Sequence, residues 1–245
     1  MNRVISLILL NSIFIGHLLQ AQTAEEFLMQ GNVKSDSGNF VAAIQYYNNA
    51  ILLEPKMADA YFRRGVILYN LGDNTGTIRD CNNVIALSPD KMEAYLFRGK
   101  AKDAIGDNNS AIRDFTAIIT LDSSNSEAYY CRGRSKKVLG DYQGAIIDYS
   151  KAIEIKPDYA DAFNYRAVSK FYTEDEKGAV EDFKKAIELA PDNGDIYYNM
   201  GYFYYYSGED MDACSNWMKA DELGHVPAKE MHKKYCSGTG VSAGN

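Results

Sequence analysis

Apolar residues recur at three- and four-residue spacing along most of the chain, as in Ala43, Ile44, Tyr47, Ala50 and Ile51. That spacing lays one stripe along an α-helix, whereas a half-buried strand would alternate at every second position. Strand patterning is absent. Within each stretch Gly38, Gly72, Gly106, Gly140 or Gly208 separates two helical stripes, and a left-handed turn costs glycine little. Glu174 occupies the corresponding place between Gly140 and Gly208, which predicts a different turn there. Pro55, Pro89, Pro157 and Pro191 follow the second stripe and stop that helix from continuing. The pattern predicts an all-α chain built from helix pairs.

The pairs are periodic. The four prolines lie on one 34-residue register, with Ser123 in the remaining slot. On the same register stand Gly31, Gly65, Gly99, Gly133, Ala167 and Gly201, a small-residue column that would let two helix backbones approach closely. An aromatic precedes each by four residues: Phe27, Tyr61, Tyr95, Tyr129, Phe163 and Tyr197. Ala43, Thr77, Ala111, Ala145, Ala179 and Ala213 form a second small column, followed four residues on by Tyr47, Cys81, Phe115, Tyr149, Phe183 and Trp217. This arrangement resembles the tetratricopeptide repeat, whose pattern is Trp-x₂-Leu-Gly-x₂-Tyr, then Ala-x₃-Phe, then Pro. Six copies in unbroken phase run 24–57, 58–91, 92–125, 126–159, 160–193 and 194–227. The resemblance implies a right-handed superhelical solenoid of six helix-turn-helix units.

A stack of this kind needs its ends covered, since each unit buries its apolar face only against a neighbour. Residues 228–236, with Met231 and Tyr235 four apart, read as a capping helix; 237–245 read as a flexible tail. At the other end, Arg3, the mostly apolar run Val4 to Leu19 and the small Ala21 have the layout of a cleaved secretory signal peptide over 1–21. The run is short of a membrane span and broken by polar residues. An exported, periplasmic or secreted protein with no stable membrane insertion after cleavage is the expectation.

Composition narrows the function. With 33 acids against 26 scattered bases and a net charge of −7, the chain lacks the clustered basic footprint of a nucleic-acid binder. No serine or cysteine has a histidine–acid pair at motif spacing, and no phosphate-binding Gly-x₄-Gly-Lys loop occurs. A non-catalytic chain without cofactor or metal is therefore expected. Cys81 fills a large apolar slot and reads as a buried thiol. Cys214 lies in the second helix of the sixth unit and Cys236 ends the cap packed on it, so a disulfide could pin the two, although the sequence leaves its formation open. Arg64, Arg98, Arg132 and Arg166 appear only in units that also carry Asp80, Asp114, Asp148 and Asp182. Paired appearance and paired absence predict a structural ladder of ion pairs between packed helices.

In the tetratricopeptide family the first helix of each pair lines a concave groove that accepts peptides or helices. Carried onto this sequence, the resemblance places Phe62, Arg63 and Tyr69, Phe97 and Lys100, and Tyr130, Arg134 and Lys137 along that groove. Tyr165, Phe171, Tyr172, Tyr198, Tyr202, Tyr205 and Tyr206 follow in the last two units. Arg63, Lys100, Arg134 and Lys137 would give the centre a positive character favouring an acidic or C-terminal carboxylate-bearing ligand. Tyrosine offers large apolar area and a hydrogen-bonding tip at low entropic cost. The carboxylate clamp of the family's chaperone cofactors is not matched, because Leu28, Glu93 and Phe97 stand where further clamp groups belong. The expected partner is a protein segment; the alternative is a glycan held on stacked tyrosines.

Overall fold

The computed structural model describes residues 22–236, so the signal peptide expected over 1–21 and the tail expected over 237–245 lie outside the described residues. Those described residues form thirteen helices and no strand. The chain divides into two compact units, residues 1–94 and 95–245. The first holds α1 (Ala24–Asp36), α2 (Phe40–Leu53), α3 (Ala58–Asn70) and α4 (Asn74–Leu87). The division falls in the first turn of α5 (Met92–Ala104). The second unit continues with α6 (Asn108–Leu121), α7 (Ser126–Val138), α8 (Tyr142–Ile155), α9 (Ala160–Phe171) and α10 (Glu176–Leu189). It ends with α11 (Gly194–Tyr206), α12 (Asp210–Glu222) and α13 (Val226–Tyr235). The last helix begins two residues before the expected cap because the His225 Nδ1 accepts from the Ala228 N–H and Pro227 suits the first helical turn.

Turn chemistry sets where each second helix starts. Asn39, Asp73, Asp107, Asp141 and Asp175 each accept a backbone N–H three residues on, capping a helix N-terminus. Gly140, just before one such cap, has φ 82° and donates to the Lys137 carbonyl. Glu174 adopts the same left-handed conformation at φ 64°, and its N–H donates to Phe171. The different turn expected at Glu174 is therefore not formed. The hydrogen-bonding frame holds a non-glycine residue in it, at the expense of strain.

The first small-residue column makes room for rings rather than for backbone. A Cβ added at Gly31 would lie 2.5 Å from the Tyr47 ring, at Gly99 2.7 Å from Phe115, at Gly133 2.9 Å from Tyr149 and at Gly201 2.5 Å from Trp217. Those four rings are fully buried. Gly65 faces the smaller Cys81, whose Sγ would stand 3.9 Å away. Four of the six helix pairs are thus locked by one ring of the second helix seated on the bare backbone of the first.

The charged ladder forms within both units. Arg64 binds Asp80 through two nitrogens at 2.7 and 2.6 Å, and Arg132 binds Asp148 at 2.9 and 2.7 Å. Arg98–Asp114 and Arg166–Asp182 repeat the fork. The remaining guanidinium nitrogen of three of them reaches back to the preceding pair: Arg64 to Asn48, Arg132 to Thr116 and Arg166 to Ser150. Lys102, Lys136 and Lys170 add a second base at 2.8 Å to Asp114, Asp148 and Asp182. These carboxylates are almost wholly buried, so two donors and a charge partner offset their desolvation. One arginine thereby ties its own pair together and fixes it to the pair before.

Candidate functional site

In the second unit α9 and α11, the first helices of two successive pairs, enclose a pocket of about 300 Å³. Val168 and Phe171 come from α9 and Tyr172 from its C-terminal cap; Tyr198, Asn199, Tyr202, Phe203 and Tyr206 come from α11; Phe183 of α10 also lines it. The four-residue helical repeat puts Tyr198, Tyr202 and Tyr206 in one row. Tyr172 and Tyr206 are 56% and 66% exposed, so their rings meet solvent at the mouth. Phe183 and Phe203 are buried within. Tyr198 donates to Tyr202 at 3.4 Å, and Tyr202 donates to the Met231 sulfur at 3.4 Å. The bond to Tyr198, with burial, pushes the Tyr202 phenol up to about 12, so that phenol stays uncharged at neutral pH. Asn199 lines the pocket, and its amide donates to the buried Asn164 at 3.1 Å.

Five of the expected groove aromatics, Phe171, Tyr172, Tyr198, Tyr202 and Tyr206, meet in this pocket. Tyr165 instead packs near Tyr130 and Tyr149, with ring centroids 6.0 and 6.3 Å away. Tyr205 turns toward the cap, where Trp217 and Tyr235 lie 5.6 and 5.0 Å from it. Phe183 and Phe203 were not among the expected site residues. The signal was present for Phe203, because its column on the 34-residue register otherwise reads Val33, Ile67, Ala101, Ser135 and Ser169.

The bases assigned to the groove are mostly spoken for. Lys100 pairs with Glu127 at 2.6 Å, and Arg134 holds Asp103 through two nitrogens at 3.1 and 2.6 Å. Lys137 lies 4.8 Å from the centre of the Tyr165 ring, and burial, then Arg134, holds its pKa below the usual lysine range. Two of the four bases expected to make the centre positive, Lys100 and Arg134, are thus paired with neighbouring carboxylates. In the first unit Arg63 is exposed and Phe62 lies under the Lys91 ammonium at 4.6 Å, while Tyr69 is half-buried. Phe97, on α5 in the second unit, is also half-buried.

Cys214 of α12 and Cys236, at the end of α13, are joined in a disulfide with Cα atoms 5.6 Å apart. Cys236 and Met231 pack with Trp217 and Tyr205, fastening α13 over the last pair. Cys81 and Cys131 are buried thiols outside any disulfide, and burial pushes the latter up to about 11, which suppresses its reactivity. Among the described residues no trio of histidine, cysteine or acid is placed to hold a metal ion, and no helix is long and apolar enough to cross a membrane.

A sequence family described as TPR repeat matches residues 31–72, 138–171 and 174–208. The helix pairs and the buried ring columns fall on the same phase. The chain is a tetratricopeptide-repeat protein. Among solved structures, a MamA protein is similar over 69% of this chain and 92% of its own, at 25% identity and a TM-score of 0.66. A tetratricopeptide repeat protein from Parabacteroides merdae matches over 91% of this chain and 88% of its own, at 19% identity and a TM-score of 0.68. YrrB, described as a TPR protein with an unusual peptide-binding site, matches over 76% and 97% at 18% identity and a TM-score of 0.59. The last two likenesses concern the fold alone. No curated protein matches the chain. A tetratricopeptide array is a protein-interaction scaffold, and that much carries over to this one.

Proposed function

We propose that this tetratricopeptide protein is a non-catalytic exported scaffold that binds a protein segment between α9 and α11. The observation that carries the reading is the pocket of about 300 Å³, with exposed Tyr172 and Tyr206 at its mouth and buried Phe183 and Phe203 within. Such a concave, mainly apolar site with a single orienting amide suits one anchoring side chain of a partner. YrrB, similar in fold, is a TPR protein with a peptide-binding site, which supports a peptide as ligand. Export is supported by the leader-like sequence over 1–21 and by the Cys214–Cys236 bond, since disulfides persist in oxidising compartments.

Selection of random displayed peptides against the full chain tests the binding reading. Peptides recovered on the parent protein are expected to lose at least tenfold in affinity to a Tyr172→Ser/Tyr206→Ser variant whose melting temperature is unchanged. Undiminished binding to that variant would place the ligand elsewhere. Recovery of glycans but no peptides on a parallel array would favour the sugar reading.

A further inference from the structure

The segment-binding reading leaves open which side chain the pocket accepts, and the distribution of cations over aromatic rings addresses that. This chain repeatedly seats a base on a ring face. Arg64, Arg98, Arg132 and Arg166 lie 5.3–5.6 Å from the centres of Tyr61, Tyr95, Tyr129 and Phe163. Lys91, Lys137, Lys156 and Lys234 do the same over Phe62, Tyr165, Tyr159 and Tyr235 at 4.6–5.0 Å. In the pocket seven aromatics converge, and no lysine or arginine lines it among the described residues. Aromatic faces are negatively polarised, and these rings carry none of the chain's own lysines or arginines among the described residues.

Acids stand on and beside the two helices that form the pocket. Asp195, one helical turn before Tyr198, is 64% exposed and reaches the pocket edge through His225, whose ring lies 4.2 Å from Tyr198 and whose Nε2 is 3.2 Å from the carboxylate. Asp161 opens α9 and accepts from Asn193 at 3.4 Å. Glu209 and Asp210 stand just past Tyr206 at the other end. The bases that approach are engaged: Lys170 holds Asp182 at 2.8 Å, Lys137 stands over Tyr165, and Lys234 over Tyr235. The one amide among the lining residues is Asn199, whose side-chain nitrogen is held by Asn164 and whose oxygen can accept.

We infer that the pocket between α9 and α11 is a cation-accepting aromatic cage that takes the arginine side chain of a basic partner segment. The guanidinium would slide between Tyr172 and the Tyr198–Tyr202–Tyr206 row, presenting its flat face to the rings and an N–H to Asn199. The acids on these helices and the chain's net charge of −7 would draw basic segments toward it. This is the opposite preference from the acidic ligand that the sequence alone suggests.

The test uses the full chain and five synthetic pentapeptides, Gly-Ser-X-Ser-Gly with capped ends, where X is arginine, lysine, citrulline, norleucine or glutamate. Citrulline keeps the shape of arginine without its charge. Titration followed by NMR is expected to rank arginine about tenfold above citrulline, with lysine between them and glutamate weakest. Replacing Tyr172 and Tyr206 by leucine keeps apolar bulk but removes two rings, and is expected to erase the arginine-over-citrulline preference while leaving the melting temperature unchanged. Equal binding of arginine, citrulline and norleucine would overturn the cation cage and leave the segment-binding reading standing. Binding of none of the five would overturn both, as would preference for glutamate in the case of the cage.

Discussion

At the scale of single residues, the ring-on-glycine contact decides how well each helix pair closes. Gly201→Ala would drive a methyl to within 2.5 Å of the buried Trp217 indole, whereas Gly65→Ala meets Asp80 Cβ at 3.3 Å and Cys81 Sγ at 3.9 Å. Gly201→Ala is expected to cost about 1–3 kcal/mol of stability by overpacking. Gly65→Ala is expected to be near neutral, since the gain in helix propensity offsets the tighter contact. Urea unfolding of both variants checks this, and equal losses would contradict it. The columns themselves were legible as a 34-residue period. Their purpose was not, because no single column shows which side chain faces it sixteen residues later. Glu174 teaches the same point: its identity suggested a different turn, but neighbouring hydrogen bonds impose φ 64°. Glu174→Gly should therefore raise stability by about 1 kcal/mol in the same assay. A loss would mean that the carboxylate makes a compensating contact.

At the scale of elements, the arginine ladder couples helices that are distant in sequence. The pairing of Arg132 with Asp148 could be read from the coincidence of the two columns, since both residue types vanish together in the end repeats. The lysine partners could be read only in hindsight, although Lys102, Lys136 and Lys170 each follow a ladder arginine by one helical turn. Arg132→Ala removes both forks to Asp148 and the bond to Thr116, leaving a carboxylate with 1% side-chain exposure to Lys136 alone. The expected loss is about 3 kcal/mol, the lower end for breaking a buried pair, because one base remains. Arg132→Lys should recover little of it, since an ammonium cannot reproduce the planar fork. Calorimetric melts of the two variants provide the comparison; full rescue by lysine would reduce the ladder to simple charge balance. The partners of the groove bases were hidden for a related reason: Lys100 and Arg134 pair with Glu127 and Asp103 across successive repeats, which no single repeat displays.

For the whole molecule, the cap and the aromatic pocket share one end of the second unit. Met231 touches the Tyr202 hydroxyl and Tyr235 lies 5.0 Å from Tyr205, so α13 supports α11 from the side away from α9. The disulfide closes a sequence separation of 22 residues, and its loss through Cys236→Ser should cost about 3 kcal/mol. Thiol titration of unfolded, unreduced protein is expected to find two reactive groups, Cys81 and Cys131; four would contradict the bond. The repeat architecture was legible from one sequence because every helix pair solves the same burial problem. The pocket was legible only in part, since rings such as Tyr165 and Tyr205 share the helical register of the lining residues but spend their faces on neighbours. Amide chemical-shift mapping of the full chain, titrated with a peptide selected on it, tests the binding site most directly. The largest changes should fall in Val168–Tyr172 and Tyr198–Tyr206; changes concentrated in α10 and α12, with those two segments unmoved, would contradict the assignment.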